Sequence, residues 1–99
     1  MKPAVTKAIL KKCDSVSLLL KSLSHPVRLK VLCSISDSER SVNELTKFCA
    51  ISQSAMSQFL GRMKEEGIVE SRRVKTQIFY RVKDPKVSRL LLAIKEIYC

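Results

Sequence analysis

A single histidine, His25, stands among 99 residues, so a metal cluster built on cysteine and histidine starts from one imidazole. No acid or nucleophile stands in motif relation to it, and a catalytic triad has very little support; beside Pro26 it reads as a helix-start residue. Acidic side chains are scarce as well. Nine Asp and Glu face nineteen Lys and Arg, a formal charge of +10, which favours a polyanionic partner, nucleic acid or an anionic membrane surface. Long apolar runs are missing: the longest, Leu90 to Ile94, falls far short of the roughly 18 to 20 residues a membrane span needs. Met1 to Lys12 lacks a signal-peptide core because Lys7, Lys11 and Lys12 interrupt it, so the expectation is a soluble, cytoplasmic chain without membrane contact. Cys13, Cys33, Cys49 and Cys99 match no zinc-finger or zinc-ribbon spacing, and in a reducing compartment permanent disulfides are uncommon. There is no internal repeat and no low-complexity segment. The length suits one domain spanning residues 1–99, and a chain this short buries only about 60 to 68% of its unfolded surface, which makes it a candidate for further burial by oligomerisation.

Mostly helices and one short strand pair follow from the hydrophobic spacing. From Pro3, the positions Val5, Ala8, Ile9, Val16, Leu19, Leu20 and Leu23 recur at helical intervals with lysines opposite, in one long helix or two short ones. Ser24-His25-Pro26 breaks and restarts the helix, Val27, Leu29, Val31, Leu32 and Ile35 continue an apolar face, and Asp37-Ser38-Glu39 ends it. Ser41 caps the next helix, with Glu44 three residues on completing a capping box, and Val42, Leu45 and Phe48 form its buried stripe. Ala50-Ile51 makes a tight turn. Ser52 caps a longer helix whose inner face is Ala55, Met56, Phe59, Leu60 and Met63 and whose outer face is Ser54, Ser57, Gln58 and Arg62. Gly67 stops it. Ile68-Val69 and Gln77 to Val82 read as a hairpin with a basic tip near Arg72-Arg73-Val74-Lys75-Thr76, which offers no glycine or asparagine to fix the turn type. A last helix begins after Asp84-Pro85. Its stripe of Val87, Leu90, Leu91, Ala93, Ile94, Ile97 and Tyr98 is wider than one packing partner needs, which suggests an interface as well as a core.

Two helices joined by a tight turn between Ser41 and Gly67, then a hairpin, describe a mainly α fold with a β-hairpin wing, a winged helix-turn-helix. The second helix of such a motif enters a major groove, where amides and hydroxyls tell base edges apart. Gln58 is the first choice for a base edge, since glutamine pairs bidentately with adenine; Ser54 and Ser57 suit bases or phosphates. Ser52 and Gln53 sit where helix-terminal amides meet a phosphate, and Arg72, Arg73 and Lys75 on the wing suit backbone or minor-groove contacts. Arg62 and Lys64 read as solvated charges or as further backbone contacts.

From Ser22 to Cys99 the chain resembles the ArsR/SmtB family of small dimeric repressors, through SHPVRLKVL, VNELTK, SQSAMSQFLGRMKEEGIVESRR and IFYRV. The resemblance implies a homodimer paired through its N- and C-terminal helices, with each recognition helix in a major groove of a pseudo-palindromic operator. Many family members sense metals, but the Cys-x-Cys pair expected near Ser41-Val42-Asn43-Glu44-Leu45 is missing, and no histidine follows Asp84 to build the other common site. Cys33 and Cys99 instead fall where the sulfide- and persulfide-responsive branch, of the BigR, SqrR and HlyU type, carries its two sensing cysteines. That branch implies persulfidation of one thiol, closure of a disulfide or polysulfide bridge with the other, and lower operator affinity. No cofactor and no enzymatic activity are implied. Cys13 and Cys49 have no counterpart in the motif and read as structural or incidental. A metal-responsive or non-sensing repressor and a sequence-independent architectural DNA binder remain as alternatives. A thiol-redox enzyme is the weakest, since no Cys-x-x-Cys stands beside either thiol.

Overall fold

The computed structural model describes residues 5–99. Thr6 takes an extended conformation and accepts the amide of Ile9, opening α1, Lys7–Leu23, as one continuous helix. Its expected start at Pro3 lies outside the described residues. His25 caps α2, Pro26–Ser34, by accepting the Val27 amide on Nδ1, and Pro26 stands at the first helical position, where a missing N–H costs nothing. After a short strand, β1, Arg40–Ser41, come α3, Val42–Cys49, and α4, Gln53–Glu65. The wing is β2, Val69–Val74, and β3, Gln77–Val82; Asp84 caps the closing helix α5, Pro85–Tyr98, by accepting the Lys86 amide.

Core residues converge from all five helices and the root of β2. Leu23 of α1, Val31 and Leu32 of α2, Ile35, Leu45 and Cys49 around α3, Met56, Leu60 and Met63 of α4, Ile68 and Val69 at the wing root, and Val87 and Leu91 of α5 form one buried cluster. Each apolar side chain taken out of water contributes about 1.5–3 kcal/mol, so this cluster fixes the placing of α4 on the scaffold. α1 packs chiefly on α2 and leaves Ile9, Leu10, Val16, Leu18 and Leu20 exposed; Leu92, Ile97 and Tyr98 of α5 are exposed too.

Three sequence expectations need correction. The hairpin is joined by β1 into a three-stranded antiparallel sheet of order β1-β3-β2, with Arg40 opposite Tyr80 and Ser41 opposite Phe79. Phe48 belongs to no buried stripe: it is 57% exposed beneath the Arg40 guanidinium, and Cys49 takes the inward position. The wing strands also run further than expected, so Arg72 and Arg73 lie within β2 and the turn is reduced to Lys75-Thr76. Lys75 supplies the left-handed backbone itself, at φ 58°, where glycine or asparagine is usual.

Candidate nucleic-acid interface and thiol pair

The turn between α3 and α4 is made by Ala50, whose backbone takes the left-handed conformation (φ 54°, ψ 44°) and ends α3 abruptly. At the other end of α3 the capping box forms in full, with Ser41 Oγ accepting the Glu44 amide at 3.1 Å and Glu44 Oε1 accepting the Ser41 amide at 3.0 Å. That backbone bond, helped by Arg40, holds the Glu44 carboxyl below the ordinary carboxylate range against the opposing effect of desolvation. α3 is thus pinned at both ends, and α4 leaves it at a fixed angle.

Along α4 the buried side is Met56, Leu60 and Met63; Gln53, Ser54, Ser57 and Gln58 all point to solvent. Ser52 accepts the Ala55 amide at 3.1 Å, so its hydroxyl oxygen is engaged in the cap. Gln53 and Ser57 share a cleft of about 180 Å³ with Asn43 from α3 and Thr76 and Gln77 from the wing. The sequence does not mark those three polar residues for this face, because only folding brings the first turn of α3 beside the start of β3. Together with Gln58 they extend the polar face from the helix towards the wing.

The wing arginines differ in what they touch. Arg72 donates from Nε to both carboxylate oxygens of Glu39, at 3.1 and 2.9 Å, adds an Nη2 bond to Oε1, and lies over the Phe79 ring. Glu39 is held below the usual carboxylate range chiefly by that bond. Among the described residues Arg73 and Lys75 form no ion pair, and both are exposed. Lys64 donates to Ser71 at 2.8 Å, which ties α4 to β2.

α2 packs on α5. Cys33 is half-buried on α2; Cys99 is exposed at the end of α5; both are free thiols. Burial pushes the Cys33 thiol up from its ordinary value, Lys95 on α5 opposes this, and Cys99 is close enough to push it up further. Cys49 is also free, buried in the core and pushed up by burial, with Lys30 opposing. Cys13 is an exposed thiol whose Sγ donates to the Ile9 carbonyl at 3.3 Å. No three His, Cys, Asp or Glu side chains gather as a metal site would require, among the described residues. No helix among them is long and apolar enough to cross a membrane.

A helix-turn-helix with a polar recognition face, followed by a β wing, defines a winged-helix DNA-binding domain. Residues 25–71 match the bacterial regulatory proteins of the arsR family. The biofilm growth-associated repressor of Xylella fastidiosa is 46% identical over 89 residues, which cover 90% of this chain and 78% of that protein. The chain therefore belongs to the arsR family of DNA-binding transcriptional regulators. The crystal structure of the transcriptional repressor BigR from Xylella fastidiosa superposes with a TM-score of 0.87 at 44% identity, over 96% of this chain and 98% of that one. Reduced HlyU from Vibrio cholerae gives 0.86 at 31%, over 95% and 99%. A homodimeric winged helix-turn-helix DNA-binding domain from Mycobacterium bovis gives 0.73 at 25%, over 97% and 89%.

Proposed function

We propose that this chain is a cytoplasmic, homodimeric repressor that binds a pseudo-palindromic operator in double-stranded DNA and releases it when sulfur joins Cys33 to Cys99. The observation that carries the sensing half of this reading is the pair of free thiols on two packed helices, near enough for one to bias the ionisation of the other. The apolar faces left exposed on α1 and α5 support pairing of two copies through these helices, as does the homodimeric relative. Ser52, Gln53, Ser54, Ser57 and Gln58 read or anchor one major groove per protomer. Arg73 and Lys75, with Arg72 once it exchanges Glu39 for phosphate, hold the adjacent backbone.

The exposed Cys99 is the entry point for a small persulfide. Its thiol takes the terminal sulfur of a persulfide RSSH, giving Cys99-SSH and releasing RSH. Cys33 then attacks the inner sulfur, closing a disulfide and releasing hydrogen sulfide. If both thiols are first persulfidated, they combine into a trisulfide with loss of one hydrogen sulfide. The longer bridge tolerates thiols whose backbones lie beyond the roughly 4.4–6.8 Å between α carbons that a direct disulfide requires. Either bridge ties α2 to the end of α5, shifts the helices on which the protomers pair, and changes the spacing of the two recognition helices.

The test compares binding of the reduced protein and of the persulfide-treated protein to DNA selected from a random pool, with intact-mass and peptide analysis of the bridge. Weaker binding after treatment, with one or more sulfurs joining Cys33 to Cys99, is the expected result. Unchanged affinity, or sulfur added elsewhere, defeats the sensing claim and leaves DNA binding standing. A protein that selects no sequence from the pool points to an architectural binder instead.

A further inference from the structure

The recognition helix is fastened at its far end by a clamp the DNA-binding face does not use. Glu66 caps the C-terminus of α4, where a carboxylate meets the negative end of the helix dipole and needs a cation to offset it. Arg28 of α2 supplies that cation in a two-pronged bond, Nη1 to Oε1 at 2.8 Å and Nη2 to Oε2 at 3.0 Å. Ser22, in the last turn of α1, completes the triangle. Its hydroxyl donates to Glu66 Oε1 at 2.8 Å and accepts from Arg28 Nη1 at 2.6 Å, and Arg28 also reaches the Ser22 carbonyl at 3.4 Å. The Arg28 side chain is 12% exposed and that of Glu66 41%, so the clamp is shielded from water on its arginine side only. The Glu66 carboxyl is correspondingly held below its ordinary range, chiefly by Arg28.

α1 packs chiefly on α2, so this triangle is a direct polar link from the last turn of α1 to the recognition helix. With thirteen residues, α4 is about 20 Å long, and a small tilt at Glu66 is carried as a displacement to Gln53 and Ser57 at the DNA end. From this geometry we infer that Ser22, Arg28 and Glu66 are positioning residues that set the distance and angle between the two recognition helices, and hence the half-site spacing the dimer accepts. The inference rests on the dimeric reading above. Because α1 carries one of the proposed pairing faces, the clamp is also the route by which a change in the pairing helices reaches the DNA.

The experiment uses the full-length protein and the two-half-site DNA it selects from a random pool, together with the same DNA lengthened or shortened by one base pair between the half-sites. One base pair moves the heads by about 3.4 Å and a tenth of a turn. Wild type is expected to lose roughly tenfold or more in affinity on either change, a penalty of the size of one mismatched contact. R28Q and E66Q are expected to flatten that penalty to about threefold, with R28K and S22A in between because each keeps part of the triangle. E70Q, which breaks the Glu70–Arg81 pair on the wing, is expected to keep the wild-type penalty. Urea midpoints verify that each variant is folded, and S22A, the mildest change, serves if R28Q is not. Wild-type penalties in folded R28Q, E66Q and S22A overturn the inference. Selection of only single half-sites by wild type overturns the dimeric reading and the clamp's role with it, a distinct result.

Discussion

Arg72 and Glu39, thirty-three residues apart, face each other across the root of the wing, with the guanidinium closed on both carboxylate oxygens. A wing arginine that reads in sequence as a DNA contact is therefore held by the protein itself, and would reach DNA only by giving up the carboxylate. Glu39→Gln is expected to raise affinity for any duplex several-fold and to steepen the dependence of log K on log salt by about one unit, as one further cation becomes available. Fluorescence anisotropy across a salt series measures both; an unchanged slope shows that Arg72 does not reach the DNA.

Recognition helix and wing should fail differently. Gln58→Ala is expected to cost about 1–3 kcal/mol on selected DNA and much less on random DNA, so that specificity falls. Lys75→Ala is expected to weaken both nearly alike and to reduce the salt slope by about one. Competition titrations with the two DNAs separate the outcomes.

Three carboxyls, Glu39, Glu44 and Glu66, lie below the ordinary value of 4.5 through bonds to Arg72, Ser41 and Arg28. A folded value depressed below the unfolded one contributes stability that is present above about 4.5 and lost as pH falls through the folded value. The urea midpoint should accordingly hold steady from neutrality to the mid-fours and decline below. Glu66→Gln should lower the neutral midpoint and make that decline shallower. An equally steep decline in the variant would remove Glu66 from the account.

Thiol reactivity should sort by burial. Cys99 is exposed, while Cys33 and Cys49 are pushed up by burial, so alkylation at mildly alkaline pH is expected to modify Cys99 well before those two. Removing the positive charge near Cys33 by Lys95→Ala should raise that thiol further and slow its alkylation. Peptide mass mapping against time reads the order directly.

Ile9, Val16 and Leu20 are 50%, 45% and 50% exposed on one face of α1, so changing them disturbs little within a protomer. Ile9→Glu with Leu20→Glu is expected to weaken self-association by on the order of tenfold or more, since each apolar side chain withdrawn from water is worth about 1.5–3 kcal/mol. Sedimentation velocity over a dilution series measures it; a dimer of undiminished strength places the pairing face elsewhere.

Local chemistry was readable in the chain and distant pairing was not. The His25-Pro26 restart, the Ser41/Glu44 capping box, the Ser52 cap, the stop at Gly67, which takes φ 78°, and the Asp84-Pro85 start all depend on residues a few positions apart. Phe48 was misplaced because three-residue steps from Val42 drift by about 60° each on a helix of 3.6 residues per turn, whereas the seventh residue, Cys49, returns to within about 20°. β1 escaped notice because two residues carry no periodicity; Arg40 and Ser41 become a strand only when β3 arrives beside them. Of the residues on the candidate face, those on α4 follow from one face of one helix. Asn43, Thr76 and Gln77, and the carboxylate that holds Arg72, belong to separate segments.

Because β1 pairs with β3 only at Tyr80 and Phe79, the sheet has three strands at its middle, beside Ser71 and Arg72, and two from Arg73 and Ile78 outward. Hydrogen exchange should register this as a gradient, with root amides opening only when the core does and those near Lys75 exchanging through local fraying. The domain thus carries an anchored rail with a loose end, and that end can follow the local width of a groove without disturbing α4.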